Sequence, residues 1–205
     1  MELLTDDDDG WNRAAALLES GRIVAVPTDT VYGVAAPISA PGLVARLFPL
    51  KARDVAKPVA VLVDGVAQAA TLVSVVGKAE VLAEQFWPGA LTIVLPRTDE
   101  FDVDLGGAGQ TVGVRCPDHE RLRALCGRLG PLATTSANRS GQPTPETGAE
   151  VAAALEGTEV AAVVDAGRLE GSASTVVRVV GGELTVLRAG PIDEKVLGAA
   201  VAHLP

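Results

Sequence analysis

Short apolar runs recur along the chain at Ile23–Val26, Val59–Val63, Leu91–Leu95, Thr111–Arg115, Leu132–Thr135, Ala161–Val164, Thr175–Val180 and Leu184–Leu187, with stretches of helical spacing between them. Runs this short and this continuous in apolar character read as strands buried in a sheet. Trp11–Ser20, Leu43–Leu50, Ala79–Phe86, Asp118–Leu129, Glu146–Leu155 and Asp193–His203 read as helices. Gly21 offers a C-cap to the first, and Asp118 and Asp193 stand in N-cap position. Strands alternating with helices imply an α/β sheet with helices packed on it.

Two apolar stretches end abruptly in small polar side chains: Pro131-Leu-Ala-Thr-Thr-Ser-Ala-Asn138 and Pro27-Thr-Asp-Thr-Val-Tyr-Gly33. A buried strand is rigid, so its polar end aims hydroxyls and amides at whatever lies beyond the sheet. Between them, Leu50-Lys-Ala-Arg-Asp-Val-Ala-Lys-Pro58 gathers Lys51, Arg53 and Lys57 in a protein whose net charge is −9. Hydroxyls, an amide and clustered cations, without a nucleophile–histidine pairing, point to a site for an anionic small molecule.

The 205 residues suit one domain, long enough to bury about 70% of the unfolded surface. Apolar residues make up 48% but aromatics only 3%, so the core rests on Val, Ala and Leu. The acidic balance disfavours a broad nucleic-acid surface, because that affinity comes from Lys and Arg on phosphates. Residues 1–10, with Asp6–Asp9, read as a solvated acidic tail and helix cap, leaving 11–205 as the domain. No apolar run approaches the roughly 18 residues a membrane span needs, so no membrane partner is expected. Cys116 and Cys126 read as reduced thiols in a cytoplasmic protein.

Familiar catalytic signatures are missing. There is no Gly-x-x-x-x-Gly-Lys-Ser/Thr loop, Gly106-Gly-Ala-Gly109 lacks the third glycine of a dinucleotide fingerprint, and no Gly-x-Ser-x-Gly elbow occurs. A Ser-His-Asp triad would need His119 or His203; the first sits at a helix start and the second near the C-terminus. With no Cys-x-x-Cys, no zinc site is expected.

Pro27-Thr-Asp-Thr-Val-Tyr-Gly33, Lys51-x-Arg53, Trp87-Pro-Gly89, Val112-Gly-Val-Arg115, Ser136-Ala-Asn138, Ser174-Thr-Val176 and Leu187-Arg-Ala-Gly-Pro191 follow one another along the chain. In this order they resemble the YrdC-type threonylcarbamoyl-AMP synthases, in the short single-domain form. The resemblance implies one YrdC-like domain with a twisted mixed β-sheet, helices packed on it and a substrate cleft. It implies a reaction in which L-threonine, bicarbonate or carbon dioxide, and ATP give threonylcarbamoyl-AMP and pyrophosphate. Downstream threonylcarbamoyl-transferase proteins would use the product to modify tRNA, so contact with tRNA itself would be indirect.

By the same resemblance, Lys51 and Arg53 are the catalytic cations. Arg53, Lys57, Thr111, Ser136, Asn138 and Arg188 would bind the nucleotide. Thr30, Arg115 and Ser174 would bind threonine. Mg²⁺ is expected with ATP, held mainly by phosphate oxygens and water. Tyr32 either walls the pocket or fills core, and Trp87-Pro-Gly89 reads as a structural turn. The chain departs from the family pattern at Asp29, Asp54, Leu62 and Ala173. Two other readings stay open: a YrdC-like paralogue that binds nucleotide or RNA without synthase activity, and a carbamoyl-transfer module.

Overall fold

The computed structural model describes residues 1–50, 58–107, 109–139 and 141–204. In chain order the elements are β1 (Glu2–Thr5), α1 (Asp8–Glu19), β2 (Ile23–Val26), β3 (Gly33–Pro37), α2 (Pro41–Ala45), α3 (Leu47–Leu50), β4 (Ala60–Leu62), α4 (Val66–Ala69) and α5 (Lys78–Phe86). They continue with β5 (Leu91–Pro96), β6 (Thr111–Arg115), α6 (Glu120–Leu129), β7 (Leu132–Ser136), α7 (Gly148–Ala154), β8 (Val160–Asp165), β9 (Thr175–Val180), β10 (Glu183–Arg188) and α8 (Glu194–Val201). All ten of these strands join one sheet in the order β1-β8-β2-β3-β7-β4-β6-β5-β9-β10. Parallel pairs (β1 with β8, β4 with β6) mix with antiparallel ones (β3 with β7, β5 with β6), so the sheet is mixed as expected.

The two faces of the sheet are covered differently. One carries Val34, Val61, Val63, Ile93, Val112, Val114, Ala133 and Val177, packed under apolar side chains of α2, α3, α5, α7 and α8. On the other, α1 and α6 cover Val24, Val26, Ala35, Leu62, Leu132, Ala162 and Val164. The α1 spacing explains its placement: Trp11, Ala14, Ala15 and Leu18 recur at i, i+3, i+4 and i+7 and are all buried. Each fully buried leucine in such a stripe contributes about 2 kcal/mol.

Three sequence expectations need correction. Residues 1–10 are not a free tail, since Glu2–Thr5 pairs with β8, but the expected acidic cap is there: Asp7 accepts the Gly10 N–H at 2.9 Å. The strand covers an otherwise unpaired edge of β8, and the carboxylates of Asp8 and Asp9 suit the positive end of the helix. The cap of α6 is His119, whose Nδ1 accepts the Leu122 N–H at 3.3 Å, while Asp118 pairs with Arg123. Packing against Trp11, with ring centroids 5.2 Å apart, holds that imidazole at the helix start. The third is an omission: β3 follows Tyr32 in the middle of the sheet, and its Gly-Val-Ala-Ala-Pro composition lacks the β-branched signal of its neighbours. Cys116 and Cys126 are both free and buried.

Candidate functional site

Strand register places the predicted side chains. Residues paired across a ladder share a face, and side chains alternate along each strand. Thr111, Gly113 and Arg115 on β6 therefore share a face with Val94 on β5, which pairs with Gly113. Leu62 pairs with both Arg115 and Leu132, and Ala60 pairs with Thr134, which brings in Ser136 two residues on. Through β9, Thr92 pairs with Val176, and Arg188 also pairs with Val176. Every predicted residue that lies on a described strand thus stands on the face that α1 and α6 leave partly uncovered.

That uncovered patch is built from small or polar residues. Ala60, Val94, Thr111, Gly113, Thr134, Ser136 and Val176 are only half-buried, although their strands run through the interior of the sheet. A central strand is normally covered on both faces, so this half-exposed strip is a cleft floor. A Cβ at Gly113 would lie 3.4 Å from Thr92 Cγ2 and 3.6 Å from Val94 Cγ2, so the glycine keeps the floor low. Thr111 and Arg115, four residues apart on one strand, mark two ends separated by about 13 Å.

At one end, Thr111 on β6 and Ser136 on β7 flank the segment that leads into β4. Ser136 Oγ donates to Asn138 Oδ1 at 2.7 Å, and Asn138 Nδ2 donates to the Gln142 carbonyl at 2.6 Å and to that of Arg139 at 3.1 Å. The backbone N–H of Ala137 donates to the Tyr32 carbonyl at 2.9 Å, which ties this strand end to the loop after β2. Lys51, Arg53 and Lys57 lie outside the described residues.

At the other end, Arg115 is 5% exposed and donates three ways: Nε to the Gly89 carbonyl at 2.9 Å, Nη1 to Thr30 Oγ1 at 2.7 Å and Nη2 to Asp29 Oδ1 at 2.6 Å. Burial pushes the guanidinium's pKa down, and Asp29 opposes that shift. A guanidinium has five N–H groups. Among the described residues three are bonded, so two remain on an almost fully buried side chain. Buried donors without acceptors are costly, and a carboxylate is the acceptor whose geometry matches a guanidinium fork. Thr30 is set beside it by Thr28, whose hydroxyl lies 3.0 Å from the Thr30 hydroxyl and accepts the Val31 N–H at 3.1 Å. In the Trp87-Pro-Gly89 turn the Trp87 indole N–H donates to the Leu91 carbonyl, and Gly89 supplies an acceptor to Arg115.

Ser174 and Arg188 meet at this same end. Arg188 donates Nε and Nη2 to the Ser174 carbonyl at 3.0 and 2.8 Å, and Nη2 to Ser174 Oγ at 3.1 Å. Arg188 was grouped with the nucleotide residues, and the fold brings it to Ser174. Tyr32 fills core: its phenol donates to the Gly167 carbonyl at 2.7 Å, and burial raises its pKa to about 12. Three contributors escaped the sequence reading as site residues: Asp29, Thr28 and Thr92. Their available signal was the repetition of hydroxyl residues at the strand ends, which sequence alone does not separate from turn chemistry.

Residues 16–190 match the Sua5/YciO/YrdC family model, described as telomere recombination. A Mycobacterium tuberculosis protein is 40% identical over 197 residues, covering 93% of this chain and 90% of its own length. The threonylcarbamoyl-AMP synthase of Bacillus subtilis is 35% identical over 205 residues, which are 98% of this chain and 59% of that protein. The structure of P. abyssi Sua5 complexed with L-threonine superposes with a TM-score of 0.90 at 30% identity, covering 99% of this chain and 61% of that one. The chain therefore spans about three fifths of the B. subtilis and P. abyssi proteins. E. coli YciO shares the fold, with a TM-score of 0.85 at 23% identity over 96% of this chain. With a family match running from α1 to the turn after β10 and a cleft floor carrying the predicted side chains, this chain belongs to the Sua5/YciO/YrdC family.

Proposed function

We propose that this chain is a threonylcarbamoyl-AMP synthase, joining L-threonine, bicarbonate or carbon dioxide, and ATP into threonylcarbamoyl-AMP with release of pyrophosphate. The observation that carries this reading is the buried Arg115 fork, with two N–H groups left over among the described residues, at one end of a shallow polar floor. Threonine, placed with its carboxylate on Arg115 and its side chain near Thr30 and Ser174, directs its amine along the floor. Thr111, Ser136 and Asn138 at the other end take the nucleotide, with Lys51, Arg53 and Lys57 on its phosphates, and Arg188 meets the phosphates from the Ser174 end.

In this reading the amine attacks carbon dioxide and gives up one proton to water as the N-carboxylate forms. One carboxylate oxygen attacks the α-phosphorus of ATP, the bond to the bridging oxygen breaks, and pyrophosphate leaves with the electron pair. When bicarbonate is the source, water leaves as the N-carboxylate forms. The protein supplies no nucleophile. Its part is to hold both reactants in line and to offset charge on the transferring group. Among the described residues no three His, Cys, Asp or Glu side chains cluster to hold a metal. Mg²⁺ brought in with ATP would be held by phosphate oxygens and water, which fits a cleft lined by hydroxyls.

Product passes to threonylcarbamoyl-transferase proteins, which makes contact with tRNA indirect, and the setting is cytoplasmic. The buried thiols Cys116 and Cys126 support a reducing compartment. The deciding measurement is pyrophosphate release with each substrate omitted in turn. The expected result is release only when threonine, bicarbonate and ATP are all present. Equal release without threonine overturns the reading.

A further inference from the structure

We infer that Thr92 is a positioning residue for the amino-acid end of the cleft, where its hydroxyl turns Ser174 into a hydrogen-bond donor for the anionic head of the bound amino acid. The inference rests on the synthase reading above. Thr92 lies on β5, 5% exposed, with its methyl group beside Gly113 and its Oγ1 2.8 Å from Ser174 Oγ. Ser174 is 4% exposed. Among the described residues Thr92 Oγ1 bonds only to Ser174, and Ser174 Oγ bonds only to Thr92 and Arg188.

The proton count decides what the pair presents. A hydroxyl has one proton and two lone pairs, and a guanidinium only donates. Arg188 Nη2 takes one lone pair of Ser174 Oγ. When Thr92 donates to the second, Ser174 has no acceptor capacity left and its proton is directed out of the pair. An oxygen that accepts from a cation and from a second hydroxyl is also the stronger donor, because hydrogen bonds in a chain polarise one another. The alternative order, Ser174 donating to Thr92, would leave Ser174 unable to serve an anion.

Beside Arg115, the first order adds one more donor to a donor-rich end. The register that pairs Ile93 with Val114 places Arg115 opposite Thr92, one step further along. The two Arg115 N–H groups unbonded among the described residues and the Ser174 proton thus flank β5 from its neighbours on either side, with Arg188 bonded to Ser174. An anionic group, a carboxylate or an N-carboxylate, is the ligand that such a set of donors takes.

Thr92→Val removes the hydroxyl and keeps the branched shape. We expect it to raise the threonine KM by about tenfold and leave the ATP KM within about two-fold. Thr92→Ser should restore the threonine KM, and Thr92→Val placed on Ser174→Ala should add less than about two-fold, since the hydroxyl acts through Ser174. A threonine KM within two-fold of wild type in Thr92→Val, measured on protein with an unchanged circular dichroism spectrum, overturns the inference. So does a full additional loss on the Ser174→Ala background. If Thr92→Val fails to fold, Thr92→Ser and Thr92→Cys replace it: the inference requires Cys, a poor donor, to lose threonine affinity where Ser keeps it. Failure of the synthase reading would look different, because wild-type protein would then release pyrophosphate without regard to threonine.

Discussion

Asp29 and Arg115 form an enclosed ion pair, with Oδ1 and Nη2 2.6 Å apart and only 15% and 7% of the two side chains exposed. The other ion pairs among the described residues have at least one partner a third or more exposed. Exposed pairs contribute little, whereas removing one partner of a buried pair leaves the other charge desolvated and alone.

Asp29→Asn is therefore expected to lower stability by about 3 kcal/mol in urea unfolding and to raise the threonine KM, because an unopposed Arg115 is free to leave its place. Arg115→Lys should also impair threonine use, since an ammonium offers no fork to a carboxylate. A stable Asp29→Asn variant with normal threonine affinity would show that the pair has no bearing on the site.

Gly113→Val tests the cleft floor. The space above Gly113 accepts a Cβ at ordinary contact distance, so the variant should fold, with an overpacking cost of about 1–2 kcal/mol. Its isopropyl group rises into the strip between Thr111 and Arg115. Turnover should fall by more than about tenfold, read as pyrophosphate release beside a thermal-melting control.

Lys51→Ala and Arg53→Ala are each expected to reduce turnover about 10- to 100-fold, the loss of one charge-assisted contact to phosphate, without lowering the melting temperature. Unchanged pyrophosphate release in both variants would remove the basic run from the reaction.

His119 gives a pH dependence of stability. Burial lowers its pKa from 6.5, with Asp6 opposing. The unfolded chain then takes up a proton that the folded imidazole refuses. Its contribution is whole above pH 6.5 and is lost as pH falls through the folded value. Protonation also occupies the Nδ1 that caps α6. Trp11 fluorescence should report earlier acid unfolding in wild type than in His119→Asn, which keeps a capping oxygen without the titration. Coincident acid curves would reject this account.

Much of the architecture was legible in the chain. Continuous apolar runs such as Leu91–Leu95 and Thr111–Arg115 mark interior strands because burial on both faces allows no polar alternation. The Trp11–Leu18 spacing marks a helix lying on a sheet. The strands missed, β1 and β3, carry acidic, glycine-rich or alanine-rich composition, and pairing with neighbours overrides that local preference; the missed helix, α4, is only four residues long.

Most strands, the basic run and the polar strand ends can be read from the chain alone, because apolar periodicity and residue chemistry are local properties. Only the tertiary structure decided that Thr111, Arg115, Ser136 and Arg188 share one face, that Asp29 rather than solvent faces Arg115, and that Thr92 stands against Ser174. Strand order and register create those neighbours. They depend on pairings between segments as distant as β4 and β7, which no local pattern encodes.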